Sequence, residues 1–242
     1  MDSSQQFVIP LSTLCKEHSR LLIGSKAANL ARLAGAGFRV PRGFCITADA
    51  YQRFLKKGDL QSTIHMELGR KAFESLRWEE VWDAALRIRS AFLRTAVPRK
   101  VARAIATALA EMPVANAVAV RSSAPGEDTA RSSFAGLHES FVNVVGEEAV
   151  LSAVRAVWAS LWSDAALLYR QELSLDVASS AMAVLVQEMV DGGPSGLAFA
   201  RDPRAGASST RAVIEAVPGP CRELGGISAR ASATTSSEWP KP

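Results

Sequence analysis

Cysteine is scarce in this chain. Cys15, Cys45 and Cys221 are odd in number and widely spaced, which argues against a disulfide framework or a zinc site and fits three reduced, inert thiols. Histidine is as sparse, with only His18, His65 and His138 among 242 residues. No apolar run approaches the roughly 18 residues that a bilayer span requires, so no membrane partner is expected. The opening MDSSQQFVIPLS lacks the basic-then-apolar order of a secretory leader, and a cytoplasmic location is the expectation. Aromatics make up 7% of the residues and do not interleave with a cationic stripe, so nucleic acid is not the expected partner either.

Apolar residues, by contrast, are plentiful at 48%, enough for one large domain or two small ones. Charge is distributed unevenly. Residues 1–118 carry 18 Lys/Arg against 10 Asp/Glu, a balance of +8, whereas residues 119–242 carry 10 against 14, a balance of −4. A basic first half suits an anionic ligand.

Periodicity predicts a mixed α and β chain. KAANLARLAGAG places Leu30, Leu33 and Ala34 on one helical face with Gly35 and Gly37 as a stop, and Thr47 stands as an N-cap for ADAYQRFLKK, closed by Gly58. Val81, Ala85, Ile88 and Phe92 predict a helix ending before Pro98, and Val101, Ile105, Leu109 and Met112 another ending before Pro113. From Asn116 the pattern turns β-branched: NAVAVR and SFVNVV read as strands around a polar loop. One long amphipathic helix is expected from Val150 to Tyr169, with Trp158 and Trp162 in the core. AMAVLVQEMV, GLAFA and RAVIEAV follow as three strands of an antiparallel meander, and beyond Val217 the core-forming pattern is lost.

The loop after NAVAVR carries the chemistry. Arg121 closes a strand and presents a planar fork of donors that fits phosphate oxygens; Ser122, Ser123, Thr129, Ser132 and Ser133 add short hydroxyls, while Gly126 and Gly136 permit close backbone approach. A surface loop with Arg121 paired to Glu127 or Asp128 is the competing reading of the same residues. Gly24-Ser25-Lys26 opens a helix and puts a cation where free backbone N–H groups already favour anions. It is not a Walker A loop: Ser19 stands where the first glycine belongs and Ala27 replaces the terminal Ser/Thr. GAGFRV, Gly35 to Val40, lacks the third glycine of a dinucleotide fingerprint.

In order, IGSKAANLARLAGAGFRVPRGFCITADAY, AVRSSAPGEDTARSSFAGLHESFVNV, VWASLWSDAALLYRQ, VLVQEMV and GLAFARDP resemble the N-terminal ATP-binding domain of the phosphoenolpyruvate synthase and pyruvate phosphate dikinase family, to which rifampicin phosphotransferases also belong. The resemblance covers about residues 20–217. It implies an α+β fold with an ATP-grasp-like nucleotide site, residues 1–217 forming that domain with a helical insert at about 48–113; residues 218–242, poor in core-forming periodicity and rich in Gly, Ser, Ala and Pro, are expected to be a disordered tail. By resemblance, Lys26 and Arg121 meet the phosphates, Gly136 and Ser140 lie around them, and Gln187 sits beside the adenine.

The resemblance further implies ATP with Mg²⁺ as ligands and phosphoryl transfer through a histidine on a separate swivelling domain to pyruvate, or to rifampicin in the antibiotic-modifying branch. The sequence departs from the family pattern in two places. Ser25 replaces the second of a glycine pair, and Pro218 to Pro242 offers none of the glutamate, glutamine and arginine that hold metal and phosphates in the second lobe. That lobe is thus expected to be incomplete, with metal ligands, phosphohistidine domain and acceptor domain all outside this chain. No catalytic residue is assigned, none of the three histidines is expected to be the phosphocarrier, and a non-catalytic truncated remnant is the remaining alternative.

Overall fold

The computed structural model describes residues 6–14, 18–112, 117–125, 137–177, 180–190, 193–200, 202 and 212–218. The chain divides into two compact units, Met1–Met189 and Val190–Pro242.

The first unit is built on a five-stranded antiparallel sheet in the order β1-β2-β5-β3-β4, with β1 at Val8–Pro10, β2 at Gly43–Ile46, β3 at Val118–Ser123, β4 at Ser140–Val144 and β5 at Ala183–Glu188. Strand alternation sorts the side chains onto two faces. Phe44, Ile46, Val118, Val120, Val184 and Val186 enter a large core, while Ile9, Cys45, Ala183 and Leu185 enter a smaller one on the opposite face. The central β5 is covered on both sides, which explains its near-continuous apolar run. Gly43 is required where β2 meets β5, because a Cβ there would lie 2.1 Å from the Val186 carbonyl oxygen.

The smaller core is closed by α1, Arg20–Gly35, through Ile23, Ala27, Ala28 and Ala31. The larger face packs against six helices: α2 at Ala48–Lys57, α3 at Leu60–Leu68, α4 at Trp78–Arg94, α5 at Arg99–Ala110, α6 at Glu147–Ser160 and α7 at Asp164–Glu172. At its centre Tyr51, Phe54, Phe92, Trp158 and Trp162 form tilted and edge-on pairs with ring centroids 4.8–6.3 Å apart. Both indoles have polar partners: Trp158 Nε1 donates to Met182 O at 3.2 Å and Trp162 Nε1 to the Tyr51 hydroxyl at 3.0 Å. Burial pushes the Tyr51 phenol well above its usual range.

The expected long helix is two. It breaks at Leu161 to Ser163, where Ser163 Oγ accepts from Ala166 N at 3.1 Å and caps α7, so the turn still keeps Leu161 and Trp162 buried. Thr47 precedes α2 as expected, but its hydroxyl donates to Gln6 O at 2.9 Å instead of capping the helix. The expected meander is also corrected. β5 inserts between β2 and β3, its partners lying 60 or more residues earlier in the chain. In the second unit, β6 at Pro194–Phe199 and β7 at Val213–Pro218 pair with each other as an antiparallel hairpin. The tail from 219 onward lies outside the described residues. Among the described residues no helix is long and apolar enough to cross a membrane.

Candidate anion site at the end of β3

Alternation along β3 sends Val118, Val120 and Ser122 toward the large core and Ala119, Arg121 and Ser123 toward the α1 face. Arg121 lies directly opposite Ser140 on β4 and Leu185 on β5. Gln187 is two residues further along β5 on the same face, opposite Ala119 and Gly43. The apolar residues of α1 sit over the β1, β2 and β5 part of this face, whereas Arg121, Ser140 and Val142 are exposed. Three of the five expected ligand contacts, Arg121, Ser140 and Gln187, therefore share one face of the sheet, two of them open to solvent. Gln187 is mostly buried, and its amide nitrogen donates to Pro41 O at 3.4 Å.

Lys26 reaches β3 by another route. Gly24 interrupts α1 with φ 74° and ψ 172°, a conformation that L side chains rarely adopt, so the helix restarts at Ser25. The kink brings the chain against the end of β3: a Cβ on Gly24 would lie 1.7 Å from the Ser123 carbonyl oxygen. Three hydrogen bonds fix the junction. Ser25 N donates to Ala124 O at 3.2 Å, Ala27 N to Ser123 Oγ at 3.1 Å, and Ser123 Oγ to Ile23 O at 2.8 Å. The Ser123 hydroxyl proton is thus engaged, which corrects the expectation that it donates to a ligand.

From this restarted helix Lys26 Nζ donates to Ser122 Oγ at 3.5 Å. Ser122 belongs to the large-core face, so Lys26 reaches around the end of β3, while Arg121 stands on the other side of the same strand. Lys26 and Arg121 therefore do not share a sheet face, although both are tied to consecutive residues of one strand. Two cations, Arg170 and Lys26, act on His138. Burial, followed by the charges of Arg170 and Lys26, lowers His138 from 6.5 to about 4, a hydrogen bond to the Ser160 backbone opposing the shift. Arg170 is itself buried, donating to Leu161 O at 2.8 Å and Ala166 O at 3.1 Å, and its pKa is lowered to about 10, chiefly by burial.

The entry to β4 is held separately. Glu139 N donates to Ser160 Oγ at 3.1 Å, and the Glu139 carboxylate pairs with Arg89 of α4 at 2.7 Å, fixing the residue before Ser140. None of Ser123, Ser160, Arg89 or Arg170 was singled out as a supporting residue by sequence reasoning. The Ser-Ser pair after Arg121 was a visible signal, but the direction of each hydroxyl depends on a helix 96 residues away. Gly136, Thr129, Ser132, Ser133, and the candidate ion-pair partners Glu127 and Asp128 lie outside the described residues.

Arg121 and Ser140, side by side on the open part of one sheet face, suit phosphate oxygens, whereas the first N–H groups of the restarted helix are already engaged by Ala124 O and Ser123 Oγ and Lys26 meets β3 from its other side. A divalent cation fits less well: among the described residues no group of three or more His, Cys, Asp or Glu side chains comes together to hold one.

Comparison with known proteins gives this chemistry a lineage. The profile described as pyruvate phosphate dikinase, AMP/ATP-binding domain, matches residues 20–224. Phosphoenolpyruvate synthase of Aeropyrum pernix is 41% identical over 203 residues, covering 82% of this chain and 24% of that protein. Rifampicin phosphotransferase of Streptomyces sviceus is 36% identical over 214 residues, covering 88% of this chain and 24% of that protein. A probable phosphoenolpyruvate synthase of Staphylothermus marinus is 34% identical over 219 residues, 88% of this chain and 26% of that protein. The chain thus spans about a quarter of the length of these curated relatives. With a profile match over most of its length, the chain belongs to the pyruvate phosphate dikinase AMP/ATP-binding domain family.

Proposed function

We propose that this chain is the ATP-binding portion of an ATP-dependent phosphotransferase of the phosphoenolpyruvate synthase kind. The observation that carries the reading is Arg121, exposed on the open part of a sheet face beside Ser140, on the strand to which the Lys26 helix is cross-linked. In this reading the triphosphate is held by Arg121, Ser140, Lys26 and the backbone at Gly136, and the adenine lies near Gln187 at the end of β5. The nucleotide site is of the ATP-grasp type, residues 1–217 forming the domain.

Phosphoryl transfer depends mostly on positioning and on neutralising charge that spreads over the transferred group. Lys26 and Arg121 would supply two fixed positive charges, and Ser140 a hydroxyl donor, without reorganisation at the moment of transfer. Mg²⁺ accompanying the nucleotide would add charge neutralisation, its protein ligands expected outside this chain. The phosphoryl group would then pass to a histidine on another domain, in the cytoplasm, and on to pyruvate. Relatives named for phosphoenolpyruvate synthesis and for rifampicin modification are similar over the same region, which supports assigning these residues to the donor half and the final acceptor to another part of the protein.

A ligand series tests the reading. Calorimetric titration with ATP, ADP, AMP and adenosine in the presence of Mg²⁺ is expected to give affinity that rises with phosphate number and falls with salt. Equal affinity for adenosine and ATP would remove Lys26 and Arg121 from the binding site.

A further inference from the structure

We infer that Ser123 is a positioning residue for nucleotide binding: its buried hydroxyl sets Lys26 relative to Arg121. The inference rests on the proposed ATP-binding role and assigns the connection between the two cations. Arg121 and Ser123 are two residues apart on one strand and face the same way, so the strand itself holds Ser123 at a fixed place relative to Arg121. Lys26 lies in the first turn of the helix that restarts after Gly24, and the next residue, Ala27, donates its N–H to Ser123 Oγ. A helix start leaves N–H groups without intrahelical acceptors, and a side-chain oxygen normally satisfies one of them from the preceding residue. Gly24 has no such oxygen, and Ser123 supplies it from a strand 96 residues away.

The same hydroxyl donates to Ile23 O, the last carbonyl before the kink. One side chain therefore spans the break, holding the residue before Gly24 and the third residue after it. Ser123 is fully buried, so water cannot replace it. Close approach at Gly24 and the bond from Ser25 N to Ala124 O complete a rigid joint. Through that joint, the cation on α1 and the cation on β3 keep one separation, as a polyphosphate with fixed spacing between its charges requires.

A double-mutant cycle separates this role from a merely structural one. Mg-ATP affinity and melting temperature are measured for the wild type, Ser123→Ala, Lys26→Ala and the double variant. Ser123→Ala is expected to weaken binding about tenfold, as the charge-assisted contact of Lys26 is misplaced, and to change it less than about twofold in the Lys26→Ala background. The fall in melting temperature should be the same in both backgrounds. Should Ser123→Ala fail to fold, Ser123→Cys, which keeps a weakly polar γ atom, enters the cycle in its place. A lower melting temperature with unchanged affinity would make Ser123 a structural cap only and overturn the inference, as would equal losses of affinity in both backgrounds. Absence of ATP binding by the folded wild type would overturn the nucleotide reading itself, and this inference with it.

Discussion

Replacing Gly24 by alanine tests the joint that brings Lys26 to β3. Two costs add. At φ 74° and ψ 172° the residue occupies a region that is nearly glycine-only, worth about 1–3 kcal/mol of strain for a side chain. The new Cβ would also lie 1.7 Å from the Ser123 carbonyl oxygen, against the 3.0 Å that real Cβ contacts respect, so the two backbones must part by over 1 Å. That separation breaks the bonds from Ala27 N to Ser123 Oγ and from Ser25 N to Ala124 O, each worth about 1 kcal/mol net. The total is about 3–5 kcal/mol, or about 10 °C in melting temperature for a unit of this size.

Gly146 is the matched control. It has nearly the same conformation, φ 87° and ψ 157°, and nothing within 4 Å of its Cβ position. Gly146→Ala should therefore carry the strain alone, about 1–3 kcal/mol. Thermal and urea unfolding of both variants, followed by circular dichroism, isolates the steric part. Equal destabilisation by Gly24→Ala and Gly146→Ala would refute the close approach of the kink to Ser123.

Other consequences follow from buried polar groups. The neutral form of His138 is favoured in the fold, so the unfolded chain takes up a proton near pH 6.5 while the folded one does so near pH 4. Stability should fall as pH drops from about 6.5 and level off below about 4, a loss of about 3 kcal/mol in all. Urea midpoints at pH 4.5 and 7 should differ less in His138→Asn than in the wild type; an unchanged difference would assign the acid limb elsewhere. Trp162→Phe leaves the buried Tyr51 hydroxyl without its indole donor and should cost about 2 kcal/mol. Tyr51→Phe should then cost less in that background than in the wild type, and strictly additive losses in urea unfolding would contradict the pairing.

Much of the fold was legible because its helices and strands are locally periodic. Val81, Ala85, Ile88 and Phe92 reach the core as their spacing requires, and so do Trp158 and Trp162. The break between α6 and α7 escaped because Leu161 and Trp162 preserve the helical apolar pattern through the turn, leaving only Ser163 to mark it. The strand order escaped for a different reason: β5 is apolar on both faces, and such a run does not say which strands flank it. At the site, alternation along β3 suffices to place Arg121 opposite the large core. What could not be read was the use of Ser123, whose hydroxyl has two partners on α1, or the reach of Lys26 to Ser122, since both depend on a contact between segments nearly a hundred residues apart.

On the proposed reading, nucleotide phosphates are bound chiefly through Arg121, an exposed residue outside both apolar cores. Calorimetric titration of the whole chain with Mg-ATP, beside Arg121→Ala, tests it most directly. The account predicts saturable binding by the wild type and at least a tenfold loss in the variant, from removal of a charge-assisted phosphate contact worth about 1.5–3 kcal/mol, with the melting temperature nearly unchanged. Unchanged affinity in Arg121→Ala, or a folded wild type that does not bind, would contradict it.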